Sequence, residues 1–118
     1  TDLITFSVYQ ERLFSLPVVM TRLWTLGMPL TEVIRATTET PAKLMGMEGE
    51  IGTLKPGAFA DITVMKIEDR EFTFTDSYGN SLPAHHIMIP QMTMKNGKTR
   101  YRHIDFTEMF GLVKGREV

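Results

Sequence analysis

Residues 40–64, TPAKLMGMEGEIGTLKPGAFADITV, constrain this chain more than any other stretch. They read as a short helix, a glycine stop, a tight turn and an apolar strand that begins behind Asp61. Thr40 is expected to cap the helix. Pro41 suits its first position, where a missing N–H costs nothing. Gly46 can end it in a left-handed conformation. Lys55-Pro56-Gly57 reads as a turn, because proline presets one dihedral and glycine supplies a positive φ. Ile62, Val64 and Ile67 are β-branched and suit a strand. The segment therefore joins a helical layer to a β-region.

Either side of that joint the pattern differs. Residues 1–46 read as mainly helical. Leu16, Val19, Met20, Leu23 and Leu26 recur at helical spacing, with Ser15 as cap, Pro17 in the first turn and Gly27 as stop. A second helix is expected from about Thr31 to Thr38, with Val33, Ile34 and Thr37 on one side. Helices this short are marginal in water and must pack on something. Residues 51–101 read as strands: Ile62 to Ile67, then Glu71 to Thr75 with Phe72 and Phe74 on one face. Ser77-Tyr78-Gly79-Asn80 is a turn cluster. Ile87 to Ile89 should stop at Pro90 or lie at an edge. Asn96-Gly97, between Met92/Met94 and Thr99/Tyr101, is a strong hairpin signal. Ile104 to Leu112 reads as a short terminal helix. The expected domains are a helical part over residues 1–46, a small β-domain over 47–103 and a tail over 104–118.

Composition narrows the function classes. A chain of 118 residues holds one modest core, and a net charge of −1 points to neither nucleic acid nor a membrane surface as partner. The absence of cysteine removes disulfides, thiolate nucleophiles and cysteine-held zinc together, and is compatible with the cytoplasm, the expected location. No apolar run approaches the ~20 residues that span a bilayer. A first residue, Thr1, that is not methionine is expected of a processed chain or a fragment.

Three linked stretches carry a resemblance. TETPAKLMGMEGEIGTLKPGAFADITV is similar to the C-terminal hallmark of the amidohydrolase superfamily, T-x-x-P-A-x-x-x-G followed by I-G-x-L-x-P-G-x-x-A-D-(I/L)-x-V. MTMKNGKTRY resembles the x-V-x-N-G-x hairpin that closes that family's β-domain. The helix Leu16 to Leu26 with LGMPLTEVIRATTETPAK most resembles the dihydroorotase-like and deacetylase-like branch. The resemblance implies an α+β chain: short helices from the end of a β/α barrel, followed by a small antiparallel β-sandwich-like domain. It implies a parent that hydrolyses C–N bonds in cyclic amides or N-acyl groups of small molecules. One or two divalent metals, zinc most often, would activate water there. Its ligands are a His-x-His pair, a lysine or glutamate, two more histidines and an aspartate after the eighth barrel strand.

Most of that set is missing from the sequence. There is no His-x-His, and the three histidines are His85, His86 and His103. Asp2, in Thr1-Asp2-Leu3, matches the strand-eight aspartate, with Ile4 where the branch often has histidine. The resemblance makes Asp2 a metal ligand and proton shuttle in an intact enzyme. Alone, the chain is expected to bind no metal and catalyse nothing, since one carboxylate cannot supply the three or four ligands a catalytic metal needs. Its expected partners are the remainder of the hydrolase, or a second copy joined through uncovered apolar surface and strand edges.

The other candidates read as structural. His85 and His86 are adjacent on a strand and point to opposite faces, which argues against a metal pair. Asp61 is expected to bond nearby backbone N–H groups and fix the start of its strand. Met45, Met47, Met88, Met92 and Met94 are expected as core filler, and Trp24 as packing. Glu48, Glu50 and Asp69 should be solvated. Gly49, Gly52 and Gly57 form no phosphate loop. The alternative to a hydrolase fragment is a free-standing β-rich binding or interaction module without catalysis.

Overall fold

The computed structural model of the chain describes residues 15–104 and 106. Among the described residues three short helices precede three strands: α1 (Leu16–Thr25), α2 (Leu30–Thr37), α3 (Glu39–Leu44), β1 (Ile62–Thr75), β2 (Ser81–Lys95) and β3 (Lys98–Arg102). The strands form one sheet in the order β1-β2-β3. Both connections are too short for anything but antiparallel neighbours. The result is the α+β mix that the resemblance implies. None of the described helices is long and apolar enough to cross a membrane.

Glycine stops set the helix ends. After α1, Gly27 (φ 101) donates to Trp24 O and Met28 donates to Leu23 O. After α3, Gly46 (φ 69) donates to Lys43 O and Met47 donates to Ala42 O. This pair of bonds satisfies carbonyls that a helix end would otherwise leave open. At the start of α1, Val18 N–H donates to the Ser15 hydroxyl at 3.4 Å, as the sequence suggests. At α3 the cap is Thr38, not Thr40, and its side chain makes no capping bond. Pro41 therefore sits in the third helical position. That is permitted, because the first-turn N–H groups have no partner four residues back.

Two strands run longer than their patterns suggest. Ile62–Ile67 and Glu71–Thr75 are parts of a single strand, β1. The charged Glu68, Asp69 and Arg70 do not interrupt it, because β1 is an edge strand whose polar side chains stay wet. β2 likewise continues through Pro90. The first β2–β3 pair is Met92↔Arg102, so Pro90 precedes that ladder and withdraws no donor from it. A bulge lies between Thr93 and Met94. Every residue of β3 is exposed, and Lys98, Arg100 and Arg102 alternate along it.

The chain divides into two compact units. One comprises the described residues up to Ala36 with Ile67–Ile89; the other comprises Thr37–Lys66 with those from Pro90 onward. In the first, Val18 of α1 packs with Phe74 and Ala84, flanked by Phe72 and Leu82. Phe72 and Phe74 meet edge to face at 4.9 Å, and the Arg22 guanidinium lies 4.9 Å from the Phe74 ring centre. The buried face of α1 is Val18, Met20 and Thr21, while Leu16, Leu23 and Leu26 of the expected stripe stay exposed. Thr21 explains the difference. Its hydroxyl donates to Pro17 O at 2.8 Å and accepts from Met88 N–H at 3.1 Å. Both lone needs of a fully buried polar side chain are thus met, so threonine can occupy the centre of the contact.

In the second unit the loop after α3 folds back on the helix. Gly52 (φ 69) comes so close that a Cβ there would lie 2.5 Å from Thr38 O and 3.0 Å from the Ala42 Cβ. Pro56-Gly57 forms the expected turn, with Gly57 at φ 95 and Ala58 N–H donating to Lys55 O at 3.2 Å. Of the methionines expected in the core, Met88 is buried and Met47, Met92 and Met94 are half-buried. Met45 is exposed instead, because it caps the end of α3. In the terminal segment Phe106 is buried, Phe106 N–H donates to His103 O, and Ile104 is exposed; Met109 and Phe110 lie outside the described residues.

Two substitutions test these close contacts. Gly52→Ala should cost about 1–2 kcal/mol for the left-handed backbone alone and more for the displaced Thr38 carbonyl. Gly46→Ala, with open space around it, should cost only the first part. Thr21→Val keeps the shape but strands the Met88 N–H, and should cost about 1–3 kcal/mol. Urea unfolding of each variant measures these differences; equal losses for the two glycines would contradict the close approach.

Candidate functional site

The best-organised polar cluster in the second unit is built around Asp61. The loop delivers it through a tight turn in which Asp61 N–H donates to Phe59 O at 2.8 Å. Its carboxylate then receives Asn96 N–H at 2.8 Å on Oδ1 and the Lys95 ammonium on Oδ2. Asn96 (φ 49) and Gly97 (φ 74) are the two loop residues of the β2–β3 hairpin, between the paired Lys95 and Lys98. Two positive φ values are what a two-residue hairpin turn requires, and Asn-Gly supplies them at least cost. Gly97 N–H donates to Ala60 O at 2.9 Å. Asp61 therefore anchors a strand start, as expected, but to a hairpin 35 residues further on and not to its own turn.

Beside this clamp lies an open groove of about 280 Å³, lined by Glu50, Gly57, Ala58, Phe59, Ala60, Asn96 and Gly97. Backbone and small side chains dominate it. Among its lining residues only Glu50 is ionisable, so the groove holds no acid–base pair and no nucleophile with a base beside it.

The two histidines of β2 have separate carboxylate partners. His85 Nδ1 lies 2.7 Å from Glu71, and His86 Nδ1 lies 3.0 Å from Asp69. His86 also stacks on Trp24, with ring centres 5.1 Å apart and planes 20° from parallel. Trp24 thus packs against an imidazole. Glu48, Glu50 and Asp69 are exposed, as expected. Among the described residues no three His, Asp or Glu side chains converge where they could hold a metal ion. The metal that the resemblance implies finds no donor set there, and Asp2 lies outside the described residues.

Asp76 was not legible as an anchor. Its carboxylate accepts Tyr78 N–H and Asn80 N–H, both at 2.8 Å, and the Asn80 side-chain amide at 2.8 Å, closing the β1–β2 turn. An aspartate opening a Ser-Tyr-Gly-Asn cluster was the available signal. The same forces act on both carboxylates. The Lys95 hydrogen bond, then the Asn96 N–H, hold Asp61 below the ordinary value of 3.8. The Asn80 side chain, then the Asn80 N–H, do so for Asp76. A carboxyl depressed in the folded state stabilises fully above its unfolded value and loses that contribution as pH falls through the folded one. Circular dichroism during acid titration should therefore show the hairpins loosening only below about pH 4. Asp61→Ala and Asp76→Ala should each flatten that acid limb, and an unchanged limb in both would contradict the assignment.

Residues 19–101 match the model of the amidohydrolase family. No curated protein matches the chain. Among solved structures, a crystal structure of an adenine deaminase superposes with TM-score 0.77 at 29% identity, over 87% of this chain and 27% of that one. A dihydroorotase superposes with TM-score 0.62 at 25% identity, over 73% of this chain and 23% of that one. The chain thus spans about a quarter of the length of these structures. Its helix–loop–hairpin arrangement and the motif that builds it have the same origin: the chain belongs to the amidohydrolase family.

Proposed function

We propose that this chain is the C-terminal region of a metal-dependent amidohydrolase whose intact form hydrolyses C–N bonds in cyclic amides or N-acyl groups. One observation carries the reading: a chain that is 87% covered by an adenine deaminase accounts for only 27% of it. In the parent, Asp2 would be one ligand of zinc or another divalent ion and would shuttle a proton, the ion would lend activated water when bound, and the remaining ligands would come from outside this chain. The described residues offer no donor set, so no catalytic step is assigned to them. The intact enzyme works in the cytoplasm on a small molecule.

The apolar side chains left in the open support the same reading. Leu26 is 64% exposed in one unit, and Leu44 and Leu54 are 83% and 80% exposed in the other. In each unit we read such exposed apolar surface as one that a partner covers. In the parent that cover is the barrel; in the isolated chain it is a second copy.

The coding sequence upstream of Thr1 tests the reading directly. It should contain a His-x-His motif and a barrel-length segment, and the longer product should hydrolyse an amide only when metal-loaded. Absence of both would replace this reading with the free-standing module. The purified 118-residue chain should hold no stoichiometric zinc; tightly bound zinc at one per chain would contradict the assignment. Light scattering should show it self-associating, with Leu26→Lys, Leu44→Lys and Leu54→Lys together shifting it toward monomer.

A further inference from the structure

We propose that Asn96–Gly97 is a deamidation site held closed by the folded hairpin, so that release of the Asp61 clamp is recorded as a permanent covalent change. Asparagine followed by glycine is the sequence in which this reaction meets least steric resistance, because glycine has no Cβ beside its nitrogen. The Gly97 backbone nitrogen, its proton lost to solvent base, attacks Cγ of Asn96. A C–N bond forms, the bond from Cγ to the side-chain nitrogen breaks, and that nitrogen leaves as ammonia. Water then adds to one of the two carbonyls of the cyclic imide and opens it to aspartate or to isoaspartate.

The fold opposes each requirement of the first step. The Gly97 N–H is committed to Ala60 O at 2.9 Å, which ties up the attacking nitrogen. The Asn96 N–H is committed to Asp61 Oδ1 at 2.8 Å, and φ of Asn96 is held at 49°. Closing the imide ring requires rotation about the Asn96 backbone, which would break both bonds. Meanwhile Asn96 and Gly97 are exposed beside the open groove, so water and base reach them freely. The barrier is therefore the clamp and not burial.

The product cannot return to the starting geometry. Aspartate at position 96 adds a second negative charge beside the Asp61 carboxylate. Isoaspartate also inserts a methylene into the backbone, which shifts the Lys95↔Lys98 pairing.

The chain carries its own control, because it has only two asparagines. Asn80 lies in the other hairpin, is followed by Ser81 and is bonded to Asp76. The full chain is incubated at neutral pH with and without urea, and peptide mapping scores Asp and isoaspartate at both positions. Conversion at Asn96 should be at least about tenfold slower in the folded chain than in urea, since it proceeds through the opened population. In Asp61→Ala without urea it should rise toward the urea rate while Asn80 stays unchanged. Equal Asn96 rates with and without urea would overturn the proposal, as would an unchanged rate in Asp61→Ala. So would a parallel rise at Asn80, which would show global unfolding and not release of the clamp. Should that variant fail to fold, hydrogen exchange at the Gly97 amide of the unmodified chain decides. Protection is expected, and exchange at the unfolded-chain rate would overturn the proposal.

Discussion

The Asp61 carboxylate holds together two parts of the second unit that are far apart in sequence. One oxygen meets a backbone N–H at the hairpin tip and the other meets a lysine ammonium on the same hairpin. The start of β1 and the turn between β2 and β3 are thereby set in a single step. Charge-assisted bonds of this type are stronger than neutral ones. Here one of them also selects a conformation, because it receives the N–H of a residue at positive φ. The glycine next to it then reaches Ala60 O, which gives the loop and the hairpin a second joint. The shared motif A-D-(I/L)-x-V and the later N-G are therefore two ends of one contact.

What could be read from the sequence was what is local. Gly27 and Gly46 end their helices through bonds that span four and six residues, and Pro56-Gly57 turns through a bond that spans four. Such features need only the right residue in the right place. Asp61 was legible as the anchor of a strand start, yet its partners lie 34 and 35 residues away, beyond any local pattern. Thr21 is the clearest failure. On a helical wheel a threonine is a weak member of the apolar stripe, so Leu16, Leu23 and Leu26 seemed the buried set. The Met88 N–H, 67 residues on, makes Thr21 the better fit. The charged Glu68-Asp69-Arg70 run was read as a gap for a similar reason: alternation marks a half-buried strand, and an edge strand need not obey it.

The functional reading followed the same division. The family was legible because its hallmark is a contiguous run whose glycine stop at Gly46 and Pro56-Gly57 turn the structure reproduces, although the cap falls at Thr38 and not at Thr40. The catalytic chemistry was not, because metal sites gather side chains from distant strands of a barrel. Within the described residues, His85 and His86 show how little adjacency means on a strand. Each is spoken for by a different carboxylate on β1, and the two rings serve separate contacts.

The β3 strand carries a consequence for how copies of this chain meet. Lys98, Arg100 and Arg102 all lie along the exposed β3 strand, and the bulge at Arg100 turns Lys98 and Arg102 to opposite faces, so both faces of the edge carry a cation. Two such edges brought together would oppose three cations with three, which discourages one sheet from extending another. That protection is purely electrostatic and therefore depends on the medium. At about 1 M ionic strength the screening length shrinks to ~3 Å, the mutual repulsion fades, and the ribbon becomes adhesive. Concentrated brine, not heat, is the condition under which this strand would template growth.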